Sequence, residues 1–206
     1  MRRFLSFMIS LTMLLGCTAG MSQSASAQDT KIVAFGASFT AGRWVANSAI
    51  FTTRLGEMLR AQGYRVRVVN EGVNGDSTRD MLNRLSRAVP DDAAIVIMEY
   101  ARGNDEKEGL SVDDTIENVE TTVDRLLARR VRVLLVVRGR DPGQLQTRIG
   151  WFQEFAAQRH VPVLPIEQPP STLIDGRHPN AEAHAAIAAV MLGPVEALLK
   201  ESAAGR

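Results

Sequence analysis

Lys31-Ile32-Val33-Ala34-Phe35, followed at once by Gly36-Ala37-Ser38-Phe39-Thr40-Ala41-Gly42, decides how this chain is read. A short apolar run that stops at a glycine is the mark of a buried strand. The same pattern returns at Arg65–Val69 (RVRVV), Ala93–Met98 (AAIVIM), Val131–Val137 (VRVLLVV) and Val161–Leu164. Between these runs the apolar spacing changes to that of helices. Ile50–Ala61 places Phe51, Leu55, Met58 and Leu59 on one face and is ended by Gly63. Ser77–Ala88 turns Met81, Leu82 and Leu85 inward, and Thr115–Arg129 is preceded and opened by Asp113, Asp114 and Glu117, which suit an N-terminal helix dipole. Leu145–Arg159 and Ala181–Leu199 complete the set, the last with Asn180 as its cap and a kink expected at Gly193-Pro194. Continuous apolar strands separated by helices predict a parallel sheet covered on both faces. No internal repeat and no long linker divides the chain.

The chain has 206 residues, 45% of them hydrophobic and 23% charged, which is the composition of one globular domain. Lys plus Arg number 24 and Asp plus Glu 23, for a net charge of +1, so no field of one sign steers it to nucleic acid. One cysteine excludes an internal disulfide, and three histidines leave little from which to build a zinc site.

The first residues read as a targeting segment. Met1-Arg2-Arg3 is a positive n-region, and Phe4–Leu15 is apolar but too short to span a bilayer. Two processing sites compete: cleavage after Ala25-Ser26-Ala27, or a bacterial lipobox at Leu14-Leu15-Gly16-Cys17 that would lipidate Cys17. The expectation is a signal peptide over 1–27, a single domain over 28–206, and export to the bacterial periplasm as a monomer, with membrane attachment only through a lipidated Cys17.

In a parallel sheet, the loops that follow the strands open on one rim, and ligands bind there. Those loops carry Ser38, the glycine turn Asn70–Thr78, Arg102-Gly103-Asn104-Asp105, and Asp175-Gly176-Arg177-His178-Pro179-Asn180. These are the parts of a serine acyl-transfer site. A serine hydroxyl needs a base, for which His178 is the candidate, and Asp175 is placed to orient the imidazole. The oxyanion needs donors, for which the Ser38 and Gly75 N–H groups and the Asn104 amide are the candidates. Phe39, Trp44 and Arg102 are candidate substrate-pocket residues.

These four blocks, taken in order, resemble the SGNH (GDSL) hydrolase family, and most closely its small bacterial periplasmic branch of thioesterases, arylesterases and lysophospholipases. The resemblance covers nearly all the chain after residue 27. It implies a three-layer α/β/α sandwich with a five-stranded parallel sheet in the order 2-1-3-4-5, a flavodoxin-like arrangement. It also implies ester or thioester hydrolysis through an acyl-enzyme on a small-molecule substrate, with no metal or cofactor. Two positions depart from the family pattern. Ala37 stands where an aspartate is usual, and its loss is expected to loosen the nucleophile loop. Arg102 adds a long cation near the rim, to bind an anionic group or to occlude the pocket. A carbohydrate O-deacetylase or acyltransferase is the rival within catalysis, and a weakened relative that binds an acyl or glycan ligand is the rival outside it.

Taken singly, each residue has a plainer reading. Ser38 is a possible helix cap, Asp175-Gly176 a turn, and Asn104-Asp105 an Asx turn. Asp105 and Asn70 read as structural, His160 as a surface or helix-end residue, His184 as partly buried, and Trp151 as core. The acidic stretch Asp105–Asp114 reads most simply as a solvated loop, or else as a mobile loop beside the cleft. The G-x-S-x-G elbow, the Rossmann glycines, the P-loop and H-E-x-x-H are all missing.

Overall fold

The computed structural model describes residues 29–100 and 102–204, so the targeting segment read at 1–27, with its two processing sites, lies outside the described residues. Strand β1 (Thr30–Gly36) leads into the single-turn helix α1 (Ser38–Ala41) and then α2 (Phe51–Ala61). There follow β2 (Val66–Gly72), α3 (Thr78–Ala88), β3 (Ala93–Glu99), α4 (Arg102–Lys107) and α5 (Val112–Ala128). The chain ends with β4 (Arg132–Gly139), α6 (Pro142–Gln158), β5 (Val163–Glu167) and α7 (Ala181–Ala204). All four strand pairings are parallel, and the order is β2-β1-β3-β4-β5.

Strand alternation sorts the core into two layers. Val33, Phe35, Val96 and Met98 face α3, α5 and α6, where Met81, Val119, Val123, Phe152 and Phe155 are buried against them. Ile32, Ala34, Ile95 and Ile97 face α2 and α7, where Phe51, Leu55, Leu59, Ile187, Met191 and Val195 close the other layer. Strand order reverses at β1, whose chain crosses to β2 on one side while β3 lies on the other. The crevice that such a reversal opens at the carboxyl ends of the strands is where an open α/β sheet binds its ligand.

Four expectations need correction. Part of the acidic stretch, with the residues before it, is helical: Arg102–Lys107 form α4, because Asp105 is fully buried and accepts hydrogen bonds from Thr78 N at 2.7 Å and from the hydroxyls of Thr78 and Thr115. Helix α5 starts at Val112, not Thr115, since Ser111 and Asp114 cap it reciprocally. Helix α6 starts at Pro142, not Leu145, with Asp141 accepting from Gln144 N at 2.8 Å. Strand β5 lies at Val163–Glu167, two residues later than the apolar run suggested. Helix α7 runs on through Pro194, and the Asn180 carboxamide accepts from Ala183 N at 2.8 Å at its start.

Candidate active site

The candidate nucleophile loop is made by a strand that cannot continue. At Gly36, a side chain would strike the Thr40 hydroxyl and the Glu99 carboxylate, so only a glycine lets the chain leave β1 here. The next residues turn at once into α1, and Ser38 stands at its first position. The first N–H groups of a helix have no intrahelical acceptor, so the Ser38 N–H is available at the mouth of the crevice.

What holds this loop is a buried carboxylate that the sequence reading missed. Glu99, at the end of β3, is 2% exposed. Its Oε2 accepts from Ala37 N at 3.2 Å, Thr40 N at 3.1 Å and the Thr40 hydroxyl at 2.7 Å. Its Oε1 accepts from Arg138 Nη2 at 2.5 Å. Arg138 also lies 4.2 Å from the centre of the Phe39 ring and donates to Gln168 Oε1 at 2.7 Å. The bracing expected of an aspartate at position 37 therefore comes from Glu99, and Ala37 itself is buried in the core. Glu99 continued an apolar run, and nothing in that pattern marked it.

A second unpredicted cation ties the loops together. Arg84 of α3 is 8% exposed. It donates to Gly36 O at 2.9 Å, Glu71 O at 3.0 Å and the Asp76 carboxylate at 2.5 Å. The ends of β1 and β2 and the turn after β2 are thereby fixed by one guanidinium. Asn70 adds a bond to Thr40 O at 2.7 Å, the bracing role its position suggested.

Across the crevice, the loop before α7 brings in the candidate base, His178. Asp175 Oδ1 accepts from Arg177 N at 3.1 Å and His178 N at 2.9 Å, while Asp175 Oδ2 lies 2.7 Å from His178 Nδ1. A carboxylate only accepts, so Nδ1 carries the ring proton and the Nε2 lone pair faces outward. The Ser38 hydroxyl lies 2.9 Å from Nε2 and donates to it. Burial pushes the Asp175 carboxyl up, but the side-chain and backbone bonds from His178 outweigh it and hold the carboxyl well below the usual carboxylate range. Asp175 therefore stays an anion beside the ring.

The remaining candidates close the third side. Gly75 is exposed, has a φ of +95° and faces the crevice. Asn104 donates one amide hydrogen to Asp76 O at 2.7 Å, which fixes the carboxamide and leaves its second N–H for the crevice. Ser38, His178, Asp175, Gly75 and Asn104 thus line one cleft of about 260 Å³. Phe39 lines it as well. Two pocket expectations need correction. Trp44 is 66% exposed and lies against Arg43 outside the lining. Arg102 turns away from the cleft to bond Leu110 O at 2.9 Å, Ser111 O at 3.2 Å and the Thr115 hydroxyl at 3.1 Å, and so ties α4 to α5. No cluster of three or more His, Cys, Asp or Glu side chains able to hold a metal occurs among the described residues.

Comparison with known proteins gives the family and the fold. Residues 34–186 match the GDSL-like Lipase/Acylhydrolase family. The esterase TesA of Pseudomonas aeruginosa is 28% identical over 126 residues, 60% of this chain and 62% of that protein, so under two thirds of that relative is spanned. A lipase/acylhydrolase from Enterococcus faecalis superposes with a TM-score of 0.68 at 26% identity, over 82% of this chain and 96% of that one. The psychrotrophic esterase EstA from a Pseudoalteromonas species shares the fold, with a TM-score of 0.70 at 18% identity, over 84% of this chain and all of that one. With a sheet in the order 2-1-3-4-5, a serine at the end of its first strand and a matching profile over most of its length, the chain belongs to the GDSL-like lipase/acylhydrolase family, the SGNH hydrolases.

Proposed function

We propose that this protein is a serine hydrolase that cleaves carboxylic ester or thioester bonds of small to medium acyl substrates through an acyl-enzyme. The observation that carries this reading is the unbroken relay from Asp175 to His178 to Ser38, at 2.7 and 2.9 Å, at the mouth of a cleft. Ser38 Oγ attacks the acyl carbon as His178 Nε2 takes its proton. The oxyanion so formed meets the N–H groups of Ser38 and Gly75 and the Asn104 amide. The imidazolium, held beside the Asp175 anion, returns the proton to the departing oxygen or sulfur. Water then repeats the sequence on the acyl-serine, with His178 as base, and releases the acid.

The cleft also bears on the acyl group. Beyond its glycines, its apolar lining is Ala37 and Phe39, and the rest is polar or charged. Such a wall favours short acyl groups over long chains. Comparing p-nitrophenyl esters from acetate to palmitate, in the wild type and in Ser38→Ala, tests the reading. The expected result is hydrolysis greatest at acetate to butyrate, lowered by about 10⁴-fold or more in the variant. Wild-type rates no higher than those of Ser38→Ala on every ester, with no labelling of Ser38 by a fluorophosphonate, would overturn it.

The reading includes residues 28–206 as one catalytic domain exported to the periplasm, supported by the n-region and apolar core of residues 1–15. N-terminal sequencing of the exported protein tests this. Gln28 at the terminus is expected, and a lipidated Cys17 would place the protein on a membrane instead.

A further inference from the structure

We infer that the catalytic cleft opens into a second subsite, built from Arg138, Arg140, Arg148 and Arg177 with Gln168, that binds an oxyanion group carried by the ester substrate. This rests on the esterase reading and adds the class of substrate.

A second cleft of about 210 Å³ adjoins the catalytic one, and Gly103, Arg138 and Arg177 line both. Four arginines face the second cleft, and the one acid on its wall, Glu106, is already within 3.3 Å of Arg102. Of the four, only Arg138 has a carboxylate partner among the described residues, Glu99. Arg148 donates to a neutral acceptor, Arg138 O, at 2.8 Å. The side chains of Arg140 and Arg177 form no ion pair among the described residues. Arg177 instead lies across Gly103, with Nη2 2.8 Å from where a side chain there would begin, over the helix α4 that carries Asn104.

Two buried donors in this wall have no acceptor among the described residues. Gln168 is 6% exposed, its Oε1 is taken by Arg138, and its Nε2 is unpartnered. Arg138 Nε is unpartnered as well. Buried polar groups are satisfied in the great majority of cases, so unpaired donors on two residues that line the cleft mark a wall short of acceptors. Like charges held this close repel, and the effect registers at Arg148: burial, and then the neighbouring Arg138 and Arg140, hold its guanidinium below its ordinary value. An oxyanion in the cleft between these guanidiniums relieves the repulsion and brings an acceptor to that wall. Guanidinium forks match carboxylate and phosphate groups in shape as well as charge.

The anionic group has two possible places on an ester, the acyl chain or the leaving group. Two matched pairs separate them. One is p-nitrophenyl hydrogen glutarate against p-nitrophenyl valerate, and the other is 4-(butyryloxy)phenyl phosphate against phenyl butyrate. The expected result is at least a tenfold higher kcat/KM for the anionic member of one pair, and the pair that shows it locates the charge. Arg140→Gln/Arg177→Gln should lower that preference at least fivefold, and added salt should weaken it. A ratio near one in both pairs, or a preference unchanged in the double variant, overturns the subsite and leaves the esterase reading intact. If no ester is hydrolysed, calorimetric titration with inorganic pyrophosphate decides alone. Binding weakened at least fivefold by the double variant upholds the subsite without the esterase reading, and no binding, or binding indifferent to the two arginines, overturns it.

Discussion

The Ser38 loop and the Asp175–His178 loop meet across 2.9 Å, yet opposite means hold them in place. The Ser38 loop is fastened from far away in the chain. Glu99 reaches Ala37 N from 62 residues on and Arg84 reaches Gly36 O from 48 residues on, and both of these charged side chains are buried. The Asp175–His178 loop is fastened to itself. Asp175 bonds residues two and three positions on, Ile174 N donates to His178 O at 2.8 Å, and Asn180 N donates to Thr172 O at 2.9 Å. The Asp175 side chain is 39% exposed. Buried charge makes the first loop part of the folding energy, while the second is a local turn that stands on the finished core. Damage to the first should therefore cost stability, and damage to the second should cost activity alone.

Asp175→Asn presses hardest on this contrast. The amide keeps the shape of the turn but favours the wrong imidazole tautomer. We expect kcat on p-nitrophenyl butyrate to fall by about 10⁴-fold. The urea midpoint should shift by no more than about 1 kcal/mol in stability, as for other exposed pairs. A variant that unfolds, or one within tenfold of wild-type activity, would break the comparison.

Asn104→Ala comes next. It removes one candidate oxyanion donor, for an expected loss of about 10²–10³-fold in kcat. Because the same carboxamide pins Asp76 O, a KM effect as large as the kcat effect would mean that the loop, not the oxyanion, is what Asn104 serves.

Glu99→Ala tests the other side. It strands Arg138 and leaves Ala37 N, Thr40 N and the Thr40 hydroxyl without their acceptor. Removing one partner of a buried pair costs about 3–5 kcal/mol, read as a drop in the urea midpoint. An unaltered midpoint would show that the nucleophile loop holds itself, as the histidine loop does.

The same contrast explains what the sequence made legible. Asp175-x-x-His178 is readable because its bonds are local, so the spacing is the structure. The five strands and the long helices are readable because burial imposes a period on apolar residues. Glu99 and Arg138 act only after β3 and β4 lie side by side, and each continues an apolar strand as though it were its next member. Arg84 faces inward with Met81 and Leu85, and its charge conceals that. Helix α4 has no apolar residue to betray a period, since what buries it is Asp105 against two threonines from other elements. The caps Ser111 and Asp141 were visible but were outweighed by apolar spacing that begins one turn later. Arg102 was read from its position in the loop, whereas its contacts on α5 decide where it points.

A second histidine extends the contrast to pH. His184, six residues beyond the candidate base, is fully buried rather than partly so. It stacks on Phe51 with ring centres 5.9 Å apart and lies 6.1 Å from Phe39. Its Nδ1 accepts from Phe51 N at 3.4 Å, so the ring proton sits on Nε2, which has no partner. Burial first, then the positive charges of Arg138 and Arg54, push its pKa down from 6.5 to about 4. The folded protein thus keeps this ring neutral where the unfolded chain would protonate it. Stability from this group is complete above pH 6.5 and is lost as pH falls towards 4, where the folded form begins to take the proton too. Over that window the loss is on the order of 3 kcal/mol at most. Urea titrations at pH 7, 5.5 and 4.5 should show wild-type stability falling, and His184→Asn should fall less steeply from a lower start. The sign separates this histidine from a paired one, whose folded pKa is raised and whose stabilisation is lost as pH rises. Equal slopes in the two proteins would mean that the acid sensitivity lies elsewhere in the fold.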